Sequence, residues 1–530
     1  MPTLTSSTDA VFLHDDDNLC IAVRDLPVGA TVAVAGGAVR LAAPVALGHK
    51  IATRGIDVGQ RIVKFGQTIG FATMRIEPGD WVHTHNIAAG EFARDYEYAT
   101  EIPPAPAPIT GRTFMGYRRA DGRAATRNYI AVISTVNCSA GVSKAIARHF
   151  DRDRLAAFPN VDGVIALTHA TGCGMAIDLL HHQMLDRVMG GFARHANIAG
   201  VLIIGLGCEV ATPGHLIKSE GLATGARGQG KAAIPLPLGP SPSSLGPALV
   251  LSMQDLGGTR KTIDRGIALV TEMLPRLSNI RRVPIPAGEI ILGLKCGGSD
   301  GNSGITANPA LGIASDRLIA AGGTAVLAET TEVYGAEHLL TRRARTEAVG
   351  RKLIERIHWW EWYAKVFGAS IDNNPSPGNK AGGLTTIYEK SLGAVAKAGS
   401  TALNAVYEYA MPIREKGFVL MDTPGFDPVC VTGMVAGGAN VVCFTTGRGS
   451  CFGCKPTPSI KIATNTPMYE RMIDDMDFNA GTILQGATVA EVGEAIFDLV
   501  LDVAGGKKTK SEVLGAGDEE FTPWHLGPVL

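Results

Sequence analysis

Runs of four to six apolar residues with no polar alternation recur through most of this chain, and stretches of helical periodicity separate them. Tyr129-Ile-Ala-Val-Ile133, Val164-Ile-Ala-Leu167 and Val201-Leu-Ile-Ile-Gly205 form one set. Ile290-Ile-Leu-Gly-Leu294, Thr324-Ala-Val-Leu-Ala328, Phe418-Val-Leu-Met421 and Asn440-Val-Val-Cys-Phe444 form a second. The spacing predicts helices over 140–150, 176–194, 309–321, 346–367 and 489–503. A strand that is apolar on both faces must be covered on both faces, so the expected architecture is α/β with largely parallel sheets.

Two proline-rich breaks divide the pattern: Glu101-Ile-Pro-Pro-Ala-Pro-Ala-Pro-Ile109 and Arg281-Arg-Val-Pro-Ile-Pro-Ala-Gly288. The division expected is a small β-rich domain over 1–100, a stiff linker over 101–110, and α/β domains over 111–285 and 286–530. Short runs such as Cys20-Ile-Ala-Val23 and Ile62-Val-Lys-Phe65, separated by glycine turns, mark the first piece as all-β. The stretch 221–247, rich in Gly, Pro and Ser, is expected to be a surface excursion.

A formal net charge of −1 provides no basic field for nucleic acid. No apolar run reaches the length of a membrane helix, and the acidic start, with Asp15, Asp16 and Asp17, does not resemble a signal peptide. A cytoplasmic enzyme, in a homo-oligomer as large metabolic α/β enzymes commonly are, is the expectation. Nine cysteines at irregular spacing do not read as a disulfide framework.

The positions of those cysteines are informative. Cys138, Cys173, Cys208 and Cys296 each follow the carboxyl end of an expected parallel strand, the edge where open α/β sheets bind ligands. Thiolates gathered there suit a soft or borderline metal, or an iron–sulfur cluster. In His83-Thr-His85-Asn86, an extended backbone would turn both imidazoles to one face and let them share an ion. Three loops carry dense polar donors: Gly297-Gly-Ser-Asp-Gly-Asn-Ser-Gly-Ile-Thr-Ala-Asn-Pro309, Asn374-Pro-Ser-Pro-Gly-Asn-Lys-Ala-Gly-Gly383 and Phe444-Thr-Thr-Gly-Arg-Gly449. A polyhydroxy carboxylate needs such groups, with Arg448 suited to a two-point grip on the acid. There is no phosphate-binding P-loop and no nucleophile elbow, and Val210 stands where a dinucleotide fingerprint needs its third glycine.

At these residues the chain resembles the altronate/galactarate dehydratase family. The resemblance rests on Gly48-His-Lys50, His83-Thr-His85-Asn86, Tyr117-Arg-Arg-Ala-Asp-Gly122 with Arg127-Asn128, Gly205-Leu-Gly-Cys-Glu209, Cys296-Gly-Gly-Ser-Asp300 with Gly304-Ile-Thr-Ala-Asn-Pro309, Asn374-Pro-Ser-Pro-Gly-Asn-Lys380 and Thr445-Thr-Gly-Arg-Gly449. It implies an N-terminal SAF (β-clip) domain ahead of the α/β domains. It also implies loss of water from a hexonate or hexarate, with Fe2+, or else Mn2+ or another divalent metal. The His83-x-His85-Asn string and Asn379-Lys-Ala-Gly-Gly-Leu-Thr-Thr386 look more like the altronate branch, whereas Gly449-Ser-Cys-Phe-Gly-Cys-Lys455 departs from it. Galactarate dehydration and sulfite elimination from sulfolactate are the alternatives on this scaffold. An NAD-dependent oxidoreductase and a non-catalytic sugar-acid binder are more distant ones.

Dehydration of a 2,3-dihydroxy acid develops charge on the carboxylate and expels a poor leaving group. It therefore calls for fixed cations, an acid and a base. The expected metal ligands are His83 and His85 with Cys138 or Cys173, and an iron–sulfur cluster on Cys138, Cys173 and Cys208 is the other version. Lys380 and Arg448 are expected to hold the carboxylate, with Ser299, Asp300, Asn308 and Asn379 around the substrate. Lys50 and His169 are the acid–base candidates.

Overall fold

The computed structural model describes every residue except 1–4, 7–8, 35–36, 91–95, 223–247, 372–373 and 527–530. Most of the 221–247 excursion lies outside the described residues.

The N-terminal part is built from short strands. An antiparallel sheet places Leu19–Ala22 beside Lys50–Ala52 and the latter beside Trp81–Val82. A second sheet joins Arg61–Lys64, Gln67–Ala72 and Ile87–Ala88. Its buried side chains, among them Leu19, Ile21, Ile62, Ile69 and Ile76, belong to the same core as the C-terminal domain. The β-rich piece is therefore seated on its neighbour. The proline segment after it has no regular structure and follows the surface of the C-terminal domain. There Ala99 N–H donates to Thr341 O, and Ile109 N–H to Ala320 O, both at 2.9 Å.

The middle domain has a four-stranded parallel sheet in the order Gly163–Leu167, Tyr129–Ser134, Ile198–Gly205, Leu249–Ser252. The helices Asn137–His149, Leu180–Ala193 and Thr259–Ser278 cover it. The break at 281–288 is in part a strand. Val283–Pro286 pairs antiparallel with Thr113–Arg118, an edge position that tolerates its prolines.

The C-terminal domain has a seven-stranded, all-parallel sheet. Its order is Leu403–Tyr407, Gly417–Met421, Thr324–Leu327, Ile291–Cys296, Val441–Thr446, Ser459–Ala463, Phe478–Asn479. The α/β class with largely parallel sheets is as the apolar runs imply. The last described residues strap the two large domains together. Lys144 pairs with Glu519 at 3.2 Å, the Phe192 and Phe521 rings meet edge-on at 4.8 Å, and Trp524 stacks on Trp360 at 5.2 Å.

Candidate active site

The C-terminal sheet starts at its centre. Ile291–Cys296 is first in sequence, the chain then builds outward on one side, and it returns to the other side with Val441–Thr446. The carboxyl ends of these two strands form the topological switch point, where their loops separate and leave a crevice. Arg448 N–H donates to Gly298 O at 2.8 Å and Gly447 N–H to the same oxygen at 3.0 Å. The loop 376–383 closes a third side, with Gly301 N–H donating to Gly382 O at 2.8 Å.

Asp300 sits in this crevice, 4 % exposed. Its carboxylate accepts from Ser303 Oγ at 2.9 Å, from Thr464 Oγ1 at 2.9 Å and from Asn465 Nδ2 at 3.2 Å. No ion pair to it exists among the described residues. Burial pushes its carboxyl above the usual range, against those hydrogen bonds. Arg448 is exposed and Lys380 half-buried, and neither side chain has an ion-pair or hydrogen-bond partner among the described residues. A Cβ on Gly382 would meet Asp300 Cβ at 3.0 Å and Arg448 Cδ at 3.1 Å, so these two side chains flank one glycine.

Two of the expected substrate ligands are occupied with the protein itself. Asn308 donates to Gly393 O at 2.9 Å and accepts from Thr445 Oγ1 at 2.7 Å. Asn379 donates to Ser299 O at 2.8 Å and caps the short helix Pro377–Ala381 through Ser376. Both asparagines hold the loops in place. Ser299 and Asp300 line a small internal cavity behind them.

The N-terminal domain presses Gly48-His-Lys50 into this junction. Lys50 is 0 % exposed, and its ammonium donates to Gly383 O at 2.5 Å and to both oxygens of Glu389. Lys64 reaches the same carboxylate at 2.8 Å. Burial alone would push the Glu389 carboxyl up, but the two lysines hold it well below the usual range. Lys50 therefore has no open face toward a substrate and acts as a positioning residue, not an acid or base in contact. His49 accepts from Trp81 Nε1 at 3.0 Å, and His83 stacks on Trp81 at 4.9 Å. Burial, then the nearby Lys50 charge, lowers the His83 imidazole to about 4, so it is neutral at pH 7.

The His83-x-His85 segment is a turn, not the extended strand expected. Asn86 N–H donates to His83 O at 2.9 Å, and the Asn86 side chain accepts from His83 N–H at 2.8 Å. The two imidazoles pack separately against Trp81. Among the described residues, the one group of three His, Cys, Asp or Glu with ligand atoms within 4.8 Å of one another is Asp178, His182 and His215. The expected ligands His83, His85, Cys138 and Cys173 do not come together, and as a single-ion site they do not fit. In the Asp178 group, His182 Nδ1 accepts from Asp178 N–H at 3.0 Å and His215 lies 3.0 Å from Asp186. His169 is also in the middle domain, bonded to Thr171 Oγ1 at 2.8 Å and lowered by burial to about 4.

Beside the crevice opens a cleft of about 690 Å³, lined by Cys296, Glu329, Trp360, Asn379, Lys390 and Asp427 among others. The sequence reading missed the charged groups gathered here. Lys390 donates to Asn374 Oδ1 at 3.1 Å and pairs with Glu332 at 3.2 Å. Lys397 donates to Cys296 Sγ at 2.6 Å and to Glu332 at 3.0 Å. Lys295 pairs with Glu329, and with Asp427 at 2.8 Å. Burial opposes ionisation of Glu332, yet Lys397 and Lys390 keep its carboxyl well below the usual range. One signal was visible in advance: Lys295 interrupts an otherwise apolar strand at its carboxyl end.

The sequence is similar to those of known proteins along nearly its whole length. Family profiles match in three consecutive blocks. Residues 8–90 match the altronate/galactarate dehydratase SAF domain, 116–278 the D-galactarate dehydratase/altronate hydrolase second domain, and 287–529 the D-galactarate/altronate dehydratase C-terminal domain. The chain is 38 % identical to the galactarate dehydratase (L-threo-forming) of Escherichia coli over 94 % of its own length and 92 % of that protein. It is 35 % identical to the altronate dehydratase of Bacillus subtilis, over 94 % and 96 % respectively. A sulfolactate sulfo-lyase beta subunit of Chromohalobacter salexigens is 29 % identical over 77 % of this chain and 96 % of the subunit. The chain belongs to the D-galactarate/altronate dehydratase family and is a hydro-lyase.

Proposed function

We propose that this enzyme converts D-altronate to 2-keto-3-deoxy-D-gluconate and water, with galactarate as the alternative substrate. The observation that carries this reading is Arg448, a cation with no partner among the described residues, which flanks Gly382 together with the buried Asp300, while Lys380, likewise without a partner, stands two residues before that glycine. A guanidinium and an ammonium there hold the substrate carboxylate and stabilise the charge that builds on it as the C2 proton leaves. Asp300, with its raised pKa and lack of a counter-ion, is the base candidate. Lys390 borders both the cleft and the internal cavity, and it is the candidate to protonate the departing 3-hydroxyl. From the N-terminal domain, the neutral His49 reaches within 3.4 Å of Ala381 O, and the neutral His83 lies behind it with ring centroids 5.2 Å apart. In this reading no step is assigned to an ion at His83 or His85.

The chemistry leaves a mark in the product. Water is lost as the C2 proton and the C3 hydroxyl, and the resulting enol takes a solvent proton at C3. Turnover in deuterium oxide is expected to give a 2-keto acid with one solvent deuterium at C3. A product with no solvent hydrogen at C3 contradicts the elimination.

A further inference from the structure

Two carboxylates in the wall of the 690 Å³ cleft are not used by the chemistry above. Glu329 follows the strand Thr324–Leu327, and Asp427 opens the helix Asp427–Ala436 after the next strand, Gly417–Met421. Both turn to one ammonium, that of Lys295 on the central strand Ile291–Cys296. Burial opposes the charge of Lys295, yet its anionic neighbours, Asp427 foremost, hold its pKa above the usual range. One cation thus serves two anions, and a net negative charge is left at the cleft. Glu329 is buried, whereas the Asp427 side chain is 35 % exposed and free to meet a ligand.

Among the described residues, Glu329 is the only non-glycine residue of the cleft wall with a left-handed backbone, at φ +66°. Thr423 pins it there, its Oγ1 accepting from Glu329 N–H at 2.9 Å. Such strain persists where the surroundings over-determine it, and it gathers at ligand clamps. Two adjacent glycines fix where Asp427 lies relative to the acid grip. A Cβ on Gly297 would meet Asp427 Oδ2 at 2.7 Å, and one on Gly298 would meet Arg448 Cβ at 3.4 Å. Their Cα atoms are about 3.8 Å apart. A ligand whose carboxylate lies on Arg448 therefore runs past Gly298 and Gly297 to Asp427, a span within reach of a six-carbon chain.

The rest of the lining suits such a chain. Trp360 and Tyr363 of the helix Glu347–Val366, with Phe367 at its end, offer ring faces to C–H groups. Trp360 is held by its bond to Asp422. Carboxylates accept hydrogen bonds from hydroxyls on the other edge, and a charged acceptor strengthens them. We propose that Asp427 and Glu329 read the hydroxyls on C4 and C5 of the substrate, the carbons beyond the reacting pair, and so determine specificity for a polyhydroxy acid over a short one. This rests on the dehydratase reading of the same cleft.

The test crosses protein variants with substrate truncation. Wild type, Asp427→Asn and Glu329→Gln are compared on D-altronate, galactarate and 2,3-dihydroxybutanoate of matching C2 and C3 configuration. The last keeps the reacting carbons and lacks both hydroxyls; it is read as a substrate, or as a competitive inhibitor where turnover is too slow to follow. Both sugar acids carry the two hydroxyls, so a wrong choice between them leaves the comparison intact. Each variant is expected to lower kcat/KM on the six-carbon acid by about 10-fold or more. On the four-carbon acid the loss is expected to stay below about twofold. Equal losses on both acids would give the carboxylates a purely structural role and overturn the proposal. So would an unchanged kcat/KM on the six-carbon acid. A wild type idle on both sugar acids sinks the substrate reading instead, and thermal stabilisation by D-altronate against the four-carbon acid is then measured in the same three proteins. Stabilisation by D-altronate that the variants lose supports the proposal, and stabilisation that they keep, or none in the wild type, overturns it.

Discussion

Lys50 of the N-terminal domain and Glu389 of the C-terminal domain meet at 2.9 Å with neither side chain exposed, and Lys64 from the same N-terminal domain completes the contact. Two buried ammonium groups depend on one carboxylate. Glu389→Gln leaves both without their charge partner, and breaking a buried pair by removing one side costs about 3–5 kcal/mol. The expected result is a loss of that size in denaturant unfolding, with faster proteolysis along 101–110 as the N-terminal domain comes free. Unchanged stability would mean that the lysines find other partners.

Acid is expected to destabilise the fold through its buried imidazoles. His83, His169 and His195 are each lowered by burial to about 4, whereas an unfolded imidazole titrates near about 6.5. Between those values the unfolded chain binds more protons than the folded one. Stability therefore falls as pH drops from about 6.5 toward 4, and the three contribute no slope above that window. Glu389, held low by its lysines, adds a further loss once pH falls below the unfolded carboxyl value of about 4.3. Unfolding midpoints at pH 7 and pH 5 check this, and His195→Gln is expected to make the dependence shallower.

Arg448 and Lys380 are expected to act on the substrate carboxylate, not on the fold. A hydrogen bond to a charged group contributes about 1.5–3 kcal/mol, so Arg448→Ala should lower kcat/KM by about 10- to 150-fold. Its unfolding midpoint should stay near that of the wild type, because the side chain is exposed and unpaired. Asp300→Asn is expected to depress kcat with little change in KM, and a pure KM effect would remove it as the base.

Trp524 ties the C-terminal strap to the cleft wall by stacking on Trp360 at 5.2 Å with nearly parallel rings. Trp360 in turn donates to Asp422 at 2.7 Å. Trp524→Ala removes the aromatic pairing, worth about 0.5–1.5 kcal/mol beyond area, together with part of its apolar burial. A moderate stability loss with a raised KM is expected, measured by thermal unfolding and steady-state kinetics.

The parallel architecture was legible because buried strands need unbroken apolar runs, and seven of those runs are strands of the two large sheets. The helix Thr259–Ser278 was not, since it starts after two glycines and contains Pro275. Leu403–Tyr407 and Ser459–Ala463 also escaped notice, because Asn404 and Lys461 interrupt their apolar character. The crevice loops could be picked out by their polar density, but density does not reveal which groups are already satisfied. Asn308 and Asn379 turned out to bond the protein, while Arg448 and Lys380 stayed unpartnered. The partners of Lys50 and the cluster around Glu332 depend on residues more than 30 positions apart, which no local pattern records.

Turnover by wild type and Arg448→Ala, offered D-altronate, galactarate and sulfolactate anaerobically with ferrous iron, tests the central claim most directly. Wild type is expected to give a 2-keto-3-deoxy acid from D-altronate, with kcat/KM sharply reduced in the variant. Wild-type product formed equally well by Arg448→Ala, or no keto acid from any of the three, would contradict it.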